Sequence, residues 1–456
     1  MGISNAPTQS AERGLQGMIT NLASETLLRV NQSGRLEPSL AKGWALSDDG
    51  LRLTLTLRDG VRFHDGSPVD TQTVAGILND ALPRTLRSAF DDVESISARG
   101  ERDVEVRFKR PSTFVADSLM DVPIRKPGTA RVGTGPFVAS PTNQSTKGVA
   151  EMMAFDKYYL GSPSISGIAI TAYNNNRAAW ADMLRDKLDM LYEVEADAID
   201  MMKDSKKVSI YTFERPFQYV VFLNTRNPKL KARETRQALN QAIDRAALVR
   251  DSLGGRGTPS LGPVSAHHWA FGEAGATFSY VPEAAAAKLK KRLRLTCVTL
   301  AASPFEQMAL VLKRQLQAVG VDVEIADVSV EQVVATLSQG DFDMVLLESE
   351  SGWSVMPAYR WWHSTGVANS MHFSSTKVDG ALDRIRHAVN DSEYRSSVAE
   401  FQKAIADDPP AIFLAWSERS RAVSKRFDVQ PEKGRDILAS LRLFRPTADK
   451  GNATHN

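Results

Sequence analysis

The 456-residue chain contains one cysteine, Cys297, so it can form no intramolecular disulfide and no cysteine-built zinc site. It also lacks a charge surplus. Lys+Arg is 56 and Asp+Glu is 54, a formal net charge of +2, and the densest basic run, Lys288-Leu289-Lys290-Lys291-Arg292, is short. A nucleic-acid partner is therefore not expected. No stretch reaches the ~18 apolar residues of a membrane helix. Met1 to Arg13 is polar and lacks the basic-then-apolar pattern of a secretory signal, so the chain reads as cytosolic or as exported and already trimmed. Catalytic strings are missing too: there is no His-Glu-x-x-His, no Gly-x-x-x-x-Gly-Lys-Ser/Thr and no Gly-x-Ser-x-Gly. Ser374-Ser375-Thr376-Lys377 stands without the Lys-Thr-Gly strand a serine acylase requires. His267 and His268 are adjacent and would point apart on extended backbone, and His64 sits in a turn, so no metal site is expected.

What is present is ordinary folded chemistry: 42% hydrophobic and 24% charged residues, in a chain long enough for two to four domains at roughly 100–200 residues each. Leucines 51, 53, 55 and 57 alternate as a half-buried strand, and Asp59-Gly60 predicts a hairpin back through Val61 and Phe63. Asp65-Gly66 marks a second turn before a helix that starts near Asp70. Residues 103–108 alternate again, and Gly133-Thr134-Gly135-Pro136 marks a tight backbone passage. Residues 188–192 and 219–224 read as strands. Residues 231–253 read as one helical stretch, ended by Gly254-Gly255-Arg256-Gly257-Thr258-Pro259, where a crossover between domains is placed. The second half then alternates: strand 293–300 (with Cys297 buried), helix 305–319, strand 321–325, helix 330–339, strand 342–347. That is the rhythm of an α/β lobe with a parallel sheet. A helical stretch over 378–405, broken at Asn390-Asp391, precedes a strand over 411–416.

Several strings carry a resemblance. Leu36-Glu37-Pro38-Ser39-Leu40-Ala41, Ser47-Asp48-Asp49-Gly50 and Leu57-Arg58-Asp59-Gly60-Val61-Arg62-Phe63-His64-Asp65-Gly66 resemble the signature region of the extracellular solute-binding proteins of ABC importers, peptide/nickel-binding class (family 5, cluster C). Gly133–Phe137, Tyr158–Pro163, Phe222-Leu223-Asn224 and Arg236–Arg245 follow in the family's order. The resemblance implies an α/β, two-lobed periplasmic-binding-protein-like fold (type II) with an extra inserted subdomain. Lobe I would comprise 1–31, 133–256 and the return 420–456, with the inserted subdomain at 32–132; lobe II would be 257–419. It further implies a monomer that closes on a short peptide or similar small solute, hands it to membrane permease subunits, and works outside the cytoplasm. No cofactor and no covalent chemistry are implied. A metal chelate, an oligosaccharide, an opine-like conjugate or a sensing role are the alternatives within the class, and a hydrolase is the remote one.

The same resemblance places ligand contacts after the strand ending near Leu347: Glu348, Glu350, Trp353, Tyr359, Arg360, Trp361 and Trp362. Their aromatic faces and polar tips suit a pocket. On the first lobe the expected contacts are Tyr192 and Glu193 at a strand end, Arg215, Phe217, Gln218 and Tyr219 before the next strand, Gln16 and Gly17 in an early loop, and Trp416 near the return crossover. Peptide binders of the class carry an aspartate a few residues after the Gly-Trp pair, to hold the peptide ammonium. Here Met356 or Gly352 stands in its place, and Glu348 or Glu350 is the candidate substitute.

Overall fold

A computed structural model describes residues 1–4, 11–129, 131–140, 149–173, 175–272, 278–289, 292–432 and 435–447. Its organising element is an eleven-stranded mixed sheet that runs through both halves of the molecule. One end is built from Phe137–Ala139, Val149–Ala154, Gly167–Tyr173, Gly2–Ser4 and Met190–Leu191. The other end is Met344–Glu350, Leu293–Leu300 and Val321–Val328, with helices Phe305–Ala318 and Val330–Gln339 as crossovers. Leu293–Leu300 pairs in parallel with both its neighbours, as the strand–helix alternation required. Cys297 is fully buried in this strand.

Two long antiparallel strands, Val208–Leu223 and Ala411–Ser424, join the ends. Their ladder slips between Glu214 and Gln218. Pro216 sits in that slip; it has no amide hydrogen to give, and a bulge is where a strand tolerates it.

The strands and helices between Ala41 and Phe108 form a separate layer. A four-stranded antiparallel sheet (Ala41–Leu46, Arg52–Leu57, Asp103–Phe108, Val93–Arg99) is backed by helix Thr71–Leu86, which Asp70 caps by accepting from the Thr73 amide at 2.7 Å. Leu53, Leu55 and Leu57 alternate inward as expected, whereas Leu51 falls before the strand and is exposed. This insert shares its buried cluster with the second lobe, where Phe114 meets Tyr359 edge-on at 5.3 Å and the Arg386 guanidinium donates to buried Asp92 at 2.6 Å.

Four expectations need correction. Asp59-Gly60 does not turn a hairpin: Arg52–Leu57 pairs with strands on either side, and residues 61–68 make only an isolated bridge between Arg62 and Pro68. The 231–253 stretch is two helices, Arg233–Gln241 and Arg245–Leu253, because Asp244 accepts from the Ala247 amide and starts a new one. The strand at 188–192 shrinks to Met190–Leu191. The strands at 219–224, 342–347 and 411–416 are the ends of longer ones, so Glu348 and Glu350 lie on a strand rather than after it. The Gly133–Pro136 passage is as tight as its glycines suggested. A Cβ on Gly135 would sit 2.5 Å from the Leu22 carbonyl oxygen, and the Gly135 amide donates to Ala23 at 2.9 Å.

Candidate functional site

A cleft of about 960 Å³ opens between the two halves. The first-lobe wall comes from the end of helix Ala11–Ala23 (Thr20, Asn21) with Ser24 and Thr26, and from the insert (Arg84, Arg87, Met120, Asp121). The second-lobe wall is Glu350, Arg360 and Val367. Short hydroxyl and amide side chains on one side face charges of both signs, so the cleft is polar rather than oily.

The strand that brings Glu350 to the cleft also carries Glu348, at the hinge. Glu348 stands where Val208–Leu223, Met344–Glu350 and Ala411–Ser424 run side by side. It accepts from Arg215 at 3.2 Å and from Arg419 at 3.2 Å. Arg419 also pairs with Glu193 at 2.8 Å and donates to the Tyr219 hydroxyl at 3.2 Å. Arg421 lies over the Tyr192 ring at 4.0 Å. Tyr192, Glu193, Arg215, Tyr219 and Glu348 are thus brought together, as a charge network across the hinge strands. Glu348 already answers two guanidiniums, so it is not the spare carboxylate that the missing aspartate calls for.

Glu350 differs. It ends its strand exposed on the cleft, with no ion pair among the described residues, and its backbone carbonyl accepts from Trp361 at 3.3 Å. Arg360 is also exposed on the cleft. The remaining expected contacts are placed elsewhere. Trp362 and Tyr359 are buried, Trp362 stacking on Phe222 at 5.6 Å and Tyr359 on His363 at 4.3 Å. Trp361 packs half-buried on Phe222. Gln218 is fully buried and donates to Ser260 at 2.6 Å and Gly262 at 2.8 Å. Trp416 is buried beside it in the ladder, and Arg215 covers the half-buried Phe217 ring at 4.1 Å. Trp353 is half-buried and does not line the cleft; its carbonyl lies against Gly34 of the insert. Gln16 and Gly17 fall in helix Ala11–Ala23, not in a loop; Gly17 is exposed one turn before the cleft-lining Thr20, and the Gln16 side chain lies outside the described residues. Of the expected contacts, Glu350 and Arg360 line the cleft.

Residue-type reasoning missed the insert's contribution. Burial raises Asp121 to about 6, with Glu350 adding repulsion and Arg360 opposing it. The group reaches solvent through the cleft mouth, yet protein around it still disfavours its charge. Four residues earlier, burial raises Asp117 to about 7; Ser354 donates to it, and its Oδ2 is sealed from solvent without a hydrogen-bond partner. Arg87, across the same wall, holds a φ of 53°, a left-handed conformation that side chains other than glycine rarely take. Only the spacing Asp117-Ser118-Leu119-Met120-Asp121 hinted at a carboxylate pair on one face. Among the described residues no group of three or more His, Cys, Asp or Glu is arranged to hold a metal ion. Nor is any helix among them long and apolar enough to cross a membrane.

Residues 35–370 match the family described as bacterial extracellular solute-binding proteins, family 5 Middle. The chain belongs to this family. Among its curated relatives, Protein XP55 of Streptomyces lividans is 27% identical over 441 residues, spanning 88% of this chain and 80% of that protein. The probable D,D-dipeptide-binding periplasmic protein DdpA of Escherichia coli (strain K12) is 21% identical over 86% of this chain and 81% of its own. Of solved structures, NikZ from Campylobacter jejuni in complex with Ni(L-His) superimposes with a TM-score of 0.80 at 20% identity, covering 98% of this chain and 99% of that one. A family 5 solute-binding protein has the two-lobed fold, which this chain shares.

Proposed function

We propose that this protein captures a small solute between its lobes by hinge closure, outside the cytoplasm, and presents the closed form to the permease of an ATP-driven importer. The observation that carries the reading is the cleft itself: about 960 Å³, walled by opposite halves that are joined through a few strands. A solute touching both walls binds the closed state better than the open one, and that difference in affinity is what moves the equilibrium. No bond to the solute is made or broken, so the protein acts as a carrier and not a catalyst.

A short peptide is the first candidate, in line with the ligand named for DdpA. A specific observation favours a second reading, a compact non-peptide solute such as an opine-like conjugate or a metal chelate. No aspartate follows Gly352-Trp353, and Glu348 is engaged by two arginines. Mass spectrometry of the solute released on denaturation separates the two. Small-angle scattering tests the mechanism: addition of the released solute is expected to reduce the radius of gyration and raise the melting temperature, with ~2.7 kcal/mol of stabilisation at 100 times the dissociation constant. A tightly held solute that leaves the scattering profile unchanged overturns the closure mechanism.

A further inference from the structure

We infer that the insert and the second lobe form one preformed body, and that the rest of the first lobe is the lid that moves over it. The inference rests on the solute-binding reading and deepens it, by assigning the half that moves and the wall that meets the solute first. Chain continuity ties the insert to the first lobe; packing ties it to the second. The buried apolar side chains of the insert run on into those of helices Met356–Trp362, Thr376–His387 and Asp391–Asp407 as one cluster. The first lobe keeps two clusters of its own, one around Ile3, Ile170 and Phe444 and one around Trp180 and Met202, both separate from that one.

The polar contacts divide in the same way. At the seam with the second lobe, Asp92 has no exposed surface and takes the Arg386 guanidinium at 2.6 Å. Beside it the Thr113 hydroxyl donates to the Ile385 carbonyl at 3.0 Å, and His387 Nδ1 lies 2.7 Å from the Pro111 carbonyl. At the other end of the seam the Trp269 amide donates to the Ser33 carbonyl at 2.8 Å. Parting this seam would strip a buried carboxylate of its partner and bare apolar core to water. The first lobe meets the insert more lightly. Phe155 lies edge-on to His64 at 5.2 Å, the half-buried Tyr159 packs on the insert's cluster, Arg125 donates to Ser24 at 3.1 Å, and Arg435 pairs with Glu37. Half-exposed polar pairs of this kind give way to water at little cost. The covalent joints are slight as well: the ribbon of Glu25–Thr26 on Pro123–Ile124 has two residues a side, and the long hinge strands slip between Glu214 and Gln218. A rotation of the first lobe therefore breaks the weak contacts and keeps the strong ones. The cleft is divided accordingly. Its wall from Arg84 to Asp121 and from Glu350 to Val367 stands on one body, and Thr20, Asn21 and Ser24 stand on the other. The charged groups that select a solute are thus fixed relative to one another before it arrives, and the neutral hydroxyl and amide side chains close over it.

Spin labels at three exposed helix positions test the division by pulsed dipolar spectroscopy on the full chain. Gln72→Cys marks the insert, Gln317→Cys the second lobe and Met201→Cys the first lobe, labelled two at a time. Without added solute, the distribution of distances from insert to second lobe is expected to be about twofold narrower than either distribution from the first lobe. Adding back the solute released on denaturation is expected to shift both first-lobe distances and leave the third unmoved. An insert-to-second-lobe distribution as broad as that from first lobe to insert, or one that the released solute shifts, overturns the inference and leaves the closure mechanism intact. Three equally narrow distributions also overturn it, and if the released solute moves none of them the closure mechanism falls as well.

Discussion

At the scale of single residues, burial decides which charges are available. Glu25 accepts from the Tyr158 hydroxyl at 2.8 Å and from Tyr159 at 3.0 Å, while its Oε2 is buried without a partner. Burial raises it to about 7, against the lowering effect of those hydrogen bonds. Its folded value lies above its unfolded one, so the protonated form is the favoured one in the native state. That contribution is whole below about pH 4.5 and is lost as the pH rises through 7. Glu25→Gln keeps an acceptor for both tyrosines and carries no charge. It is expected to stabilise the protein by up to ~2 kcal/mol at pH 8 and to change little at pH 5. Urea denaturation at both pH values checks this; an equal offset at the two would remove the titration from the explanation. The Tyr158-Tyr159 string was legible as a family marker, but its carboxylate partner, 133 residues earlier for Tyr158, was not. Glu348 and Glu350 show the same limit. Two residues apart on one strand, they look equivalent in sequence; only the neighbouring strands reveal that one meets Arg215 and Arg419 and the other meets open space.

At the scale of elements, local signals were readable wherever one periodicity ran undisturbed. Helices Phe305–Ala318 and Val330–Gln339 and strand Leu293–Leu300 lie within a residue of where their patterns placed them. The long hinge strands were only half legible. Residues 417–421, Ser-Glu-Arg-Ser-Arg, are polar where Arg419 reaches Glu193 and Glu348, Arg421 reaches Asp436 and Ser420 meets the Thr212 hydroxyl, and Pro216 interrupts the alternation that would mark its strand. The break at Asp244 was hidden by apolar positions that continue on both sides of it. Removing that cap with Asp244→Ala is expected to cost about 1 kcal/mol. The measure is the urea midpoint at unchanged slope; a wild-type midpoint would mean that the Asp244 backbone amide, held by Gln315 at 3.0 Å, starts the helix without help from the side chain.

At the scale of the whole molecule, the insert is tied to both halves. Glu25–Thr26 pairs with Pro123–Ile124 on one side. On the other, Arg386 meets Asp92, Arg35 forks onto Asp391 at 2.9 and 2.5 Å, and Trp269 carries the Arg35 guanidinium at 3.5 Å. None of these pairs could be found from spacing, because the partners lie far apart along the chain. Arg386→Ala leaves Asp92 buried with the exposed Arg110 at 2.7 Å and His387 at 3.9 Å to answer it, so a loss of about 3 kcal/mol is expected in denaturant unfolding. A loss below about 1 kcal/mol would show that Arg110 and solvent replace the pair. Cys297 has a practical consequence at this same scale. Burial pushes its thiol up to about 12, so thiolate chemistry will not reach it in the folded protein. A surface cysteine engineered onto each lobe can take a fluorophore with the native thiol left in place. The separation between the two dyes then reads the hinge directly, one molecule at a time.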